Sequence, residues 1–69
     1  MKISIFELKG EEINLTFNNG TLAYTFEHEG NRYGNAVKVE SRKALDIASS
    51  AFGLLTNALE TIEKLHDNK

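Results

Sequence analysis

The sequence predicts an α+β domain in which a four-stranded antiparallel meander is followed by one long C-terminal helix, a ββββα order with the helix packed on one face of the sheet. Three observations predict it. Segments up to residue 40 alternate between apolar and polar side chains, and residue pairs that favour tight turns separate these segments. The segment after residue 40 has helical periodicity and no proline. With 69 residues, the chain is predicted to be a single domain, 1–69.

The first strand, in the segment MKISIFEL, is the least regular of the four. Its two isoleucines share one parity, whereas Phe6 and Leu8 share the other. A bulge near Phe6, together with a tight turn at Lys9 and Gly10, would bring all four side chains to the same face. Without that bulge, Phe6 and Leu8 are expected to form a small apolar patch on the outer face.

The second and third strands are predicted to form a hairpin whose register is set by an Asn-Gly pair. Residues 12–18 alternate strictly, and Asn19 and Gly20 readily take the positive φ angles of a two-residue type I′ turn. This turn places Phe17 opposite Leu22, and every apolar residue of the two strands then lies on one face. A shift of one residue would destroy this agreement.

A Gly-Asn turn at residues 30–31 is predicted to lead into the fourth strand, residues 32–40. This turn sets Glu29 opposite Arg32, so that opposite charges meet across the hairpin. Gly34 is expected to mark a bulge in the fourth strand.

The remaining segment is predicted to be one helix, with Ser41 as its N-cap and its end near His66. Two apolar rows run along it. The first row comprises Leu45, Ala48, Phe52, Leu55, Leu59 and Ile62, and the second comprises Ile47, Ala51, Leu54, Ala58 and Leu65. Together they cover about half of the circumference, whereas a helix on one sheet needs an apolar arc only slightly wider than about 100°. Disorder is expected only in the last residues, 66–69.

One row can cover the sheet, but the other then needs a partner that a chain with a single helix does not contain. We expect this partner to be a second copy, bound across a two-fold axis. The predicted contact residues are the second row and one glycine: Ile47, Ala51, Leu54, Ala58, Leu65 and Gly53. Gly53 also lies in a row of small side chains with Ser49 and Asn57, which is expected either to admit another backbone or to face water.

The sequence contains no recognised catalytic motif. Because adjacent residues of a strand point to opposite faces, the glutamates beside His28 are not expected to hold its imidazole. His28 is instead expected at the sheet edge near Tyr33, and His66 in a fraying helix end. Glu11 and Glu12 are expected to be solvated. With two His and no Cys, we predict no metal site, no cofactor and no catalytic residue, and therefore no enzyme.

The charge balance disfavours a surface that binds polyanions. Ten acidic and eight basic residues give a net charge of −2, with the signs interspersed. Sequence-independent binding of phosphates requires a strongly positive surface. The chain has no cysteine, no apolar run long enough to span a membrane and no signal-peptide pattern. We therefore expect a cytoplasmic protein that does not act at a membrane.

The strand order, with KGEEINLTF at the first turn and second strand and RYGNAVKVES leading into the helix, is similar in plan to the positive-cofactor-four family of single-strand-binding transcriptional coactivators. That resemblance implies dimerisation through the helices and nucleic-acid contacts from basic and aromatic residues on the sheet side. By position, these contacts are Lys9, Arg32, Tyr33 and Lys38. The chain departs from the family in its net acidic charge and its lower density of Lys and Arg.

The sequence thus predicts a small non-enzymatic homodimer that binds another macromolecule. Many Asn, Lys, Glu and Ile residues and the lack of proline have the general look of a phage or mobile-element protein, such as an inhibitor or accessory protein of a host machine. Single-stranded nucleic-acid binding is the alternative, and a minimal enzyme with its site between two copies stays open. The outer sheet face and the hairpin tip at residues 30–34 are the two candidate surfaces for a protein partner.

Overall fold

The computed structural model describes residues 2–67, with side chains from residue 4 onwards, and confirms the predicted layout. The strands are β1 (Lys2–Leu8), β2 (Glu11–Asn18), β3 (Thr21–His28) and β4 (Asn31–Lys38), and the helix α1 is Ala44–Asp67. The strands form one antiparallel sheet in the order β1-β2-β3-β4, with α1 against one face, here called the inner face. Of the four terminal residues expected to be disordered, 66 and 67 are helical, and 68 and 69 lie outside the described residues.

Three turns of the same kind connect the strands. Each has a non-glycine residue followed by glycine, both with positive φ: Lys9-Gly10, Asn19-Gly20 and Glu29-Gly30. Positive φ at both central positions is the requirement of the type I′ turn, whose twist matches that of the flanking strands. The first two turns are those predicted, whereas the third lies one residue before the predicted turn at 30–31. The predicted third turn is therefore wrong.

The third turn moves β4 by two residues relative to the predicted register. Leu22 faces Val37, whereas the predicted turn would have set it opposite Val39. Arg32 lies opposite Glu27, with 3.7 Å between its Nη2 atom and the Glu27 Oε2 atom. The opposite charges therefore meet one pair further from the turn than predicted. Because a shift of two residues keeps every side chain on its own face, the inward residues of β4 are those expected.

Neither predicted bulge is present in the described strands. β1 pairs continuously with β2, so Phe6 and Leu8 lie on the inner face and pack against the core, while Ile5 is mostly exposed on the outer face. The expected outer patch of Phe6 and Leu8 is therefore wrong. β4 also pairs continuously with β3. The glycine at position 34 is explained by close packing and not by a bulge, because a Cβ atom there would lie 2.6 Å from the Tyr24 carbonyl oxygen.

The helix begins at Ala44, so Ser41 is not its N-cap. The Lys43 carbonyl accepts the first helical hydrogen bond, from the Ile47 N–H at 3.1 Å. The Ser41 hydroxyl accepts a hydrogen bond from the Lys43 N–H at 3.1 Å and donates one to the Asp46 carboxylate at 2.6 Å. Ser41 thus holds the segment before the helix against the first turn, where a carboxylate suits the positive end of the helix dipole.

The second apolar row of the helix packs on the sheet. Leu54 and Ala58 of this row are buried together with Ile62, the last residue of the first row, and Ile47, Ala51 and Leu65 pack around them. The buried residues of the sheet side are Ile13, Leu22, Tyr24, Phe26 and Val39. The residues predicted to contact a second copy, Ile47, Ala51, Leu54, Ala58 and Leu65, therefore belong to the core of a single chain. That choice of row is wrong, although self-association itself stays a prediction.

The row of small residues lies beside the edge strand β4. The Asn57 Oδ1 atom accepts a hydrogen bond from the buried Tyr24 hydroxyl and another from the Asn35 Nδ2 atom at 3.3 Å. Gly53, the other predicted contact with a second copy, is exposed, and a Cβ atom there would meet no atom within 4 Å. The row therefore contacts the sheet at Asn57 and is open to solvent at Gly53.

Candidate functional site

Three titratable side chains meet at the end of the molecule where the helix terminates over the sheet. Glu11 begins β2, His28 ends β3, and His66 lies in the last turn of α1. The Glu11 Oε2 atom lies 2.7 Å from His28 Nδ1 and 3.2 Å from His66 Nε2. The two imidazole centroids are 5.7 Å apart. We call these three residues the His–Glu cluster.

The cluster is partly shielded from water. The side chains of Glu11 and His28 are 13% and 14% exposed, and that of His66 is 37% exposed. The hydrogen bond from His66 lowers the pKa of Glu11 most, burial opposes this effect, and the bond from His28 lowers the pKa further. Glu11 is therefore held as a carboxylate that accepts from both rings, and the expectation that it is merely solvated is wrong.

Glu29 provides a further contact for His28. The Glu29 Oε2 atom lies 3.1 Å from His28 Nε2. In an extended strand the side chain of residue 29 would point to the opposite face, but Glu29 lies in the turn with a φ of 52°, which lets it reach the ring. Both ring nitrogens of His28 thus face a carboxylate. The expectation that no neighbouring glutamate holds this imidazole is wrong.

The donor atoms of the cluster are of the kind that bind divalent transition metals. Two imidazole nitrogens and one carboxylate oxygen lie within 4.8 Å of one another. Imidazole and carboxylate are both common ligands of zinc and of related ions. The prediction from the sequence counted histidines and cysteines and missed this arrangement, because Glu11 and His66 are 55 positions apart in the chain.

Two of the three residues of the cluster could have been placed together from the sequence. Continuing the predicted pairing of Phe17 with Leu22 along both strands places Glu11 opposite His28 on the inner face. His66 could not be placed in this way, because its position depends on the length of the helix and on its direction across the sheet.

The residues predicted to contact a partner or nucleic acid do not share one surface. The Lys9 Nζ atom lies 3.0 Å from Glu63 Oε2 on the helix, and Tyr33 lies on the inner face with its ring stacked on a core aromatic residue. Arg32 and Lys38 lie on the outer face, near opposite ends of β4. Nucleic-acid binding through these residues stays a prediction, and the structure does not bring them together into one groove.

The first apolar row of the helix lies at or near the surface, apart from its last residue, the buried Ile62. Leu45 is 84% exposed and Phe52 is 62% exposed. Ala48 is also exposed, and Leu55 and Leu59 are half-buried. At 3.6 residues per turn these five side chains fall within about 80° of the helix circumference, next to the buried row. We call these five residues the exposed helix row.

Comparisons of the chain with protein-family models, with curated proteins and with solved structures found no significant match. The resemblance to single-strand-binding coactivators therefore stays a prediction. Within residues 2–67, the helix is not long and apolar enough to cross a membrane.

Proposed function

We propose that this chain is a non-enzymatic binding protein that works as a homodimer, with the exposed helix row as the contact between the two copies. The observation that carries the proposal is the exposure of Leu45 and Phe52 on a helix whose neighbouring row is already buried. Burying one Leu or Phe side chain stabilises an interface by roughly 1.5–3 kcal/mol. Two copies of the row therefore offer a substantial apolar contact.

The accessible surface of the chain is larger than expected for a compact monomer of its mass. The chain exposes 5046 Å², whereas a compact monomer of 7.7 kDa exposes about 4300 Å². The excess, about 700 Å², means that the chain keeps more surface in water than a compact monomer of its mass does, and the exposed helix row contributes to it. The molecule measures 41 × 18 × 16 Å, and this elongated shape also adds to the exposed surface.

The spacing of the exposed helix row suits a second copy in particular. Leu45 and Leu59 each lie seven residues, or two helical turns, from Phe52. In an antiparallel pair of helices with the two-fold axis at Phe52, the two Phe52 rings meet at the axis and each Leu45 meets the other copy's Leu59. Ala48, the smallest member of the row, then lies near the other copy's Leu55. A closed two-fold contact of this kind needs no other protein.

The outer sheet face stays free for a macromolecular partner in such a dimer. Its centre carries small side chains, among them Thr16 opposite Ala23 and Asn14 opposite Thr25. The non-enzymatic part of the proposal rests on the sequence, which carries no recognised catalytic motif. The lack of cysteine suits the reducing cytoplasm, where we place the protein.

The substitution Phe52→Glu tests the proposed contact by size-exclusion chromatography with light scattering. We expect the unmodified protein to elute as a dimer and Phe52→Glu to elute as a monomer. At the two-fold axis the new carboxylate of one copy would face the same carboxylate of the other copy, and the like charges would repel. Gly53→Glu is the matched control, since it places the same charge one residue along the helix at an open position, about 100° away. We expect this variant to remain a dimer.

Circular dichroism shows whether both variants keep the fold. A folded Phe52→Glu variant with the mass of a dimer would show that the exposed helix row is not the contact. Dissociation by Gly53→Glu, with Phe52→Glu still dimeric, would move the contact to the row of small residues instead.

A further inference from the structure

We infer that the His–Glu cluster binds one divalent transition-metal ion of the zinc type, through the Glu11 carboxylate, His28 Nδ1 and His66 Nε2. This inference is independent of the proposed dimer, because the His–Glu cluster lies at the C-terminal end of the helix, far from Phe52 at the centre of the exposed helix row. His66 lies 14 residues beyond Phe52, or about 21 Å along the helix axis.

The donor atoms lie close enough together to become ligands of one ion after small side-chain adjustments. Zn²⁺ takes imidazole nitrogen and carboxylate oxygen at about 2.0–2.2 Å, which places ligand atoms of a tetrahedral site roughly 3.3 Å apart. Glu11 Oε2 lies 2.7 Å from His28 Nδ1 and 3.2 Å from His66 Nε2, and the three candidate atoms lie within 4.8 Å of one another. His66 is the most exposed of the three, so its ring has the most room to adjust.

Glu29 supplies the outer contact that metal-bound histidines usually have. A histidine ligand almost always donates its second ring N–H to a carboxylate, a carbonyl or a water, which fixes the tautomer and the ring orientation. The His28 Nε2 atom lies 3.1 Å from Glu29 Oε2. In the metal-free protein His28 Nδ1 donates to the Glu11 carboxylate. An ion would displace that proton, and the Nε2 proton directed to Glu29 would then leave the Nδ1 lone pair to bind the ion. This contact is independent of the three ligands and points to the same site.

The ion would connect three elements of the fold. Glu11 lies at the start of β2, His28 at the end of β3 and His66 in the last turn of α1. An ion that binds the folded chain and not the unfolded chain stabilises the folded state by mass action. Small domains commonly use a metal ion in this way, because their cores are small. Three protein ligands also leave one position of a tetrahedral ion for water.

Isothermal titration of the metal-free protein with Zn²⁺ tests the site. We expect one ion per chain and a rise in the melting temperature when Zn²⁺ is added. Glu11→Gln and His66→Gln should each weaken binding at least tenfold, and Glu29→Gln should weaken it about tenfold through His28. Glu12→Gln is the matched control for Glu11→Gln, because Glu12 is the next residue and is exposed on the outer face. We expect it to bind as the unmodified protein does.

Two further measurements separate a metal site from a set of hydrogen bonds. Co²⁺ in place of Zn²⁺ should give visible absorption bands typical of a four-coordinate ion, and His66→Gln should change them. In the unmodified protein, Zn²⁺ should shift the imidazole resonances of His28 and His66 in NMR spectra. Equal affinities of Glu11→Gln and Glu12→Gln, or no shift of either imidazole at tenfold excess Zn²⁺, would overturn the inference.

Discussion

The hydroxyl of Tyr24, buried beneath the helix, donates a hydrogen bond to the Oδ1 atom of Asn57. This bond favours the observed side of α1 facing the sheet. The two apolar rows of the helix are similar in size, but only the orientation that buries the second row brings Asn57 to the Tyr24 hydroxyl. Turning the helix by about 100° to bury the exposed helix row would leave a buried hydroxyl without this acceptor.

Asn57→Leu should therefore destabilise the protein although it adds an apolar side chain. The substitution leaves the Tyr24 hydroxyl without its partner, and an unsatisfied buried hydroxyl costs about 1–3 kcal/mol. Urea unfolding followed by circular dichroism measures the change. Combining Asn57→Leu with Tyr24→Phe removes both polar groups and should recover most of the loss. A stability of Asn57→Leu equal to that of the unmodified protein would mean that the bond does not orient the helix.

Alanine at two glycines should have opposite effects on the free energy of unfolding. Gly34→Ala puts a Cβ atom 2.6 Å from the Tyr24 carbonyl oxygen, so β4 must shift away from β3, at a cost of roughly 1–3 kcal/mol. Gly53→Ala meets no atom within 4 Å and should stabilise the helix by up to about 1 kcal/mol. Thermal unfolding of the two variants checks both signs. Stabilisation by Gly34→Ala would show that the close approach of β3 and β4 is absent in solution.

The metal-free protein should lose stability as the pH falls, because of the carboxylate in the His–Glu cluster. The pKa of Glu11 is lowered from its ordinary value of 4.5, so its contribution to stability is fully present above that value and is lost as the pH falls through the folded-state pKa. Glu11→Gln lacks this contribution. The difference in urea midpoint between the unmodified protein and Glu11→Gln should therefore become smaller below about pH 4.5. A gap that widens on acidification would contradict the lowered pKa of Glu11.

Much of the sheet could be predicted from the sequence, because alternation and the Asn19-Gly20 pair agree on one register for β2 and β3. The third turn could not be chosen in the same way. A shift of two residues keeps every side chain on its face, so burial does not distinguish the two registers. The spacing of Gly10, Gly20 and Gly30 at intervals of ten residues is the signal that favours the observed turn.

The candidate sites were less predictable than the sheet. The choice of the buried helix row goes with contacts such as that between Asn57 and Tyr24, which are distant in sequence. The His–Glu cluster requires both the register that places Glu11 near His28 and a helix that extends as far as His66. Short-range patterns report on neither contact.

Sedimentation equilibrium of the unmodified protein, at concentrations from about 1 to about 100 µM, tests the central claim most directly. The exposed helix row predicts a mass of two chains, twice 7.7 kDa, over most of this range. A folded protein that keeps the mass of one chain, 7.7 kDa, up to the highest concentration would contradict the proposed dimer.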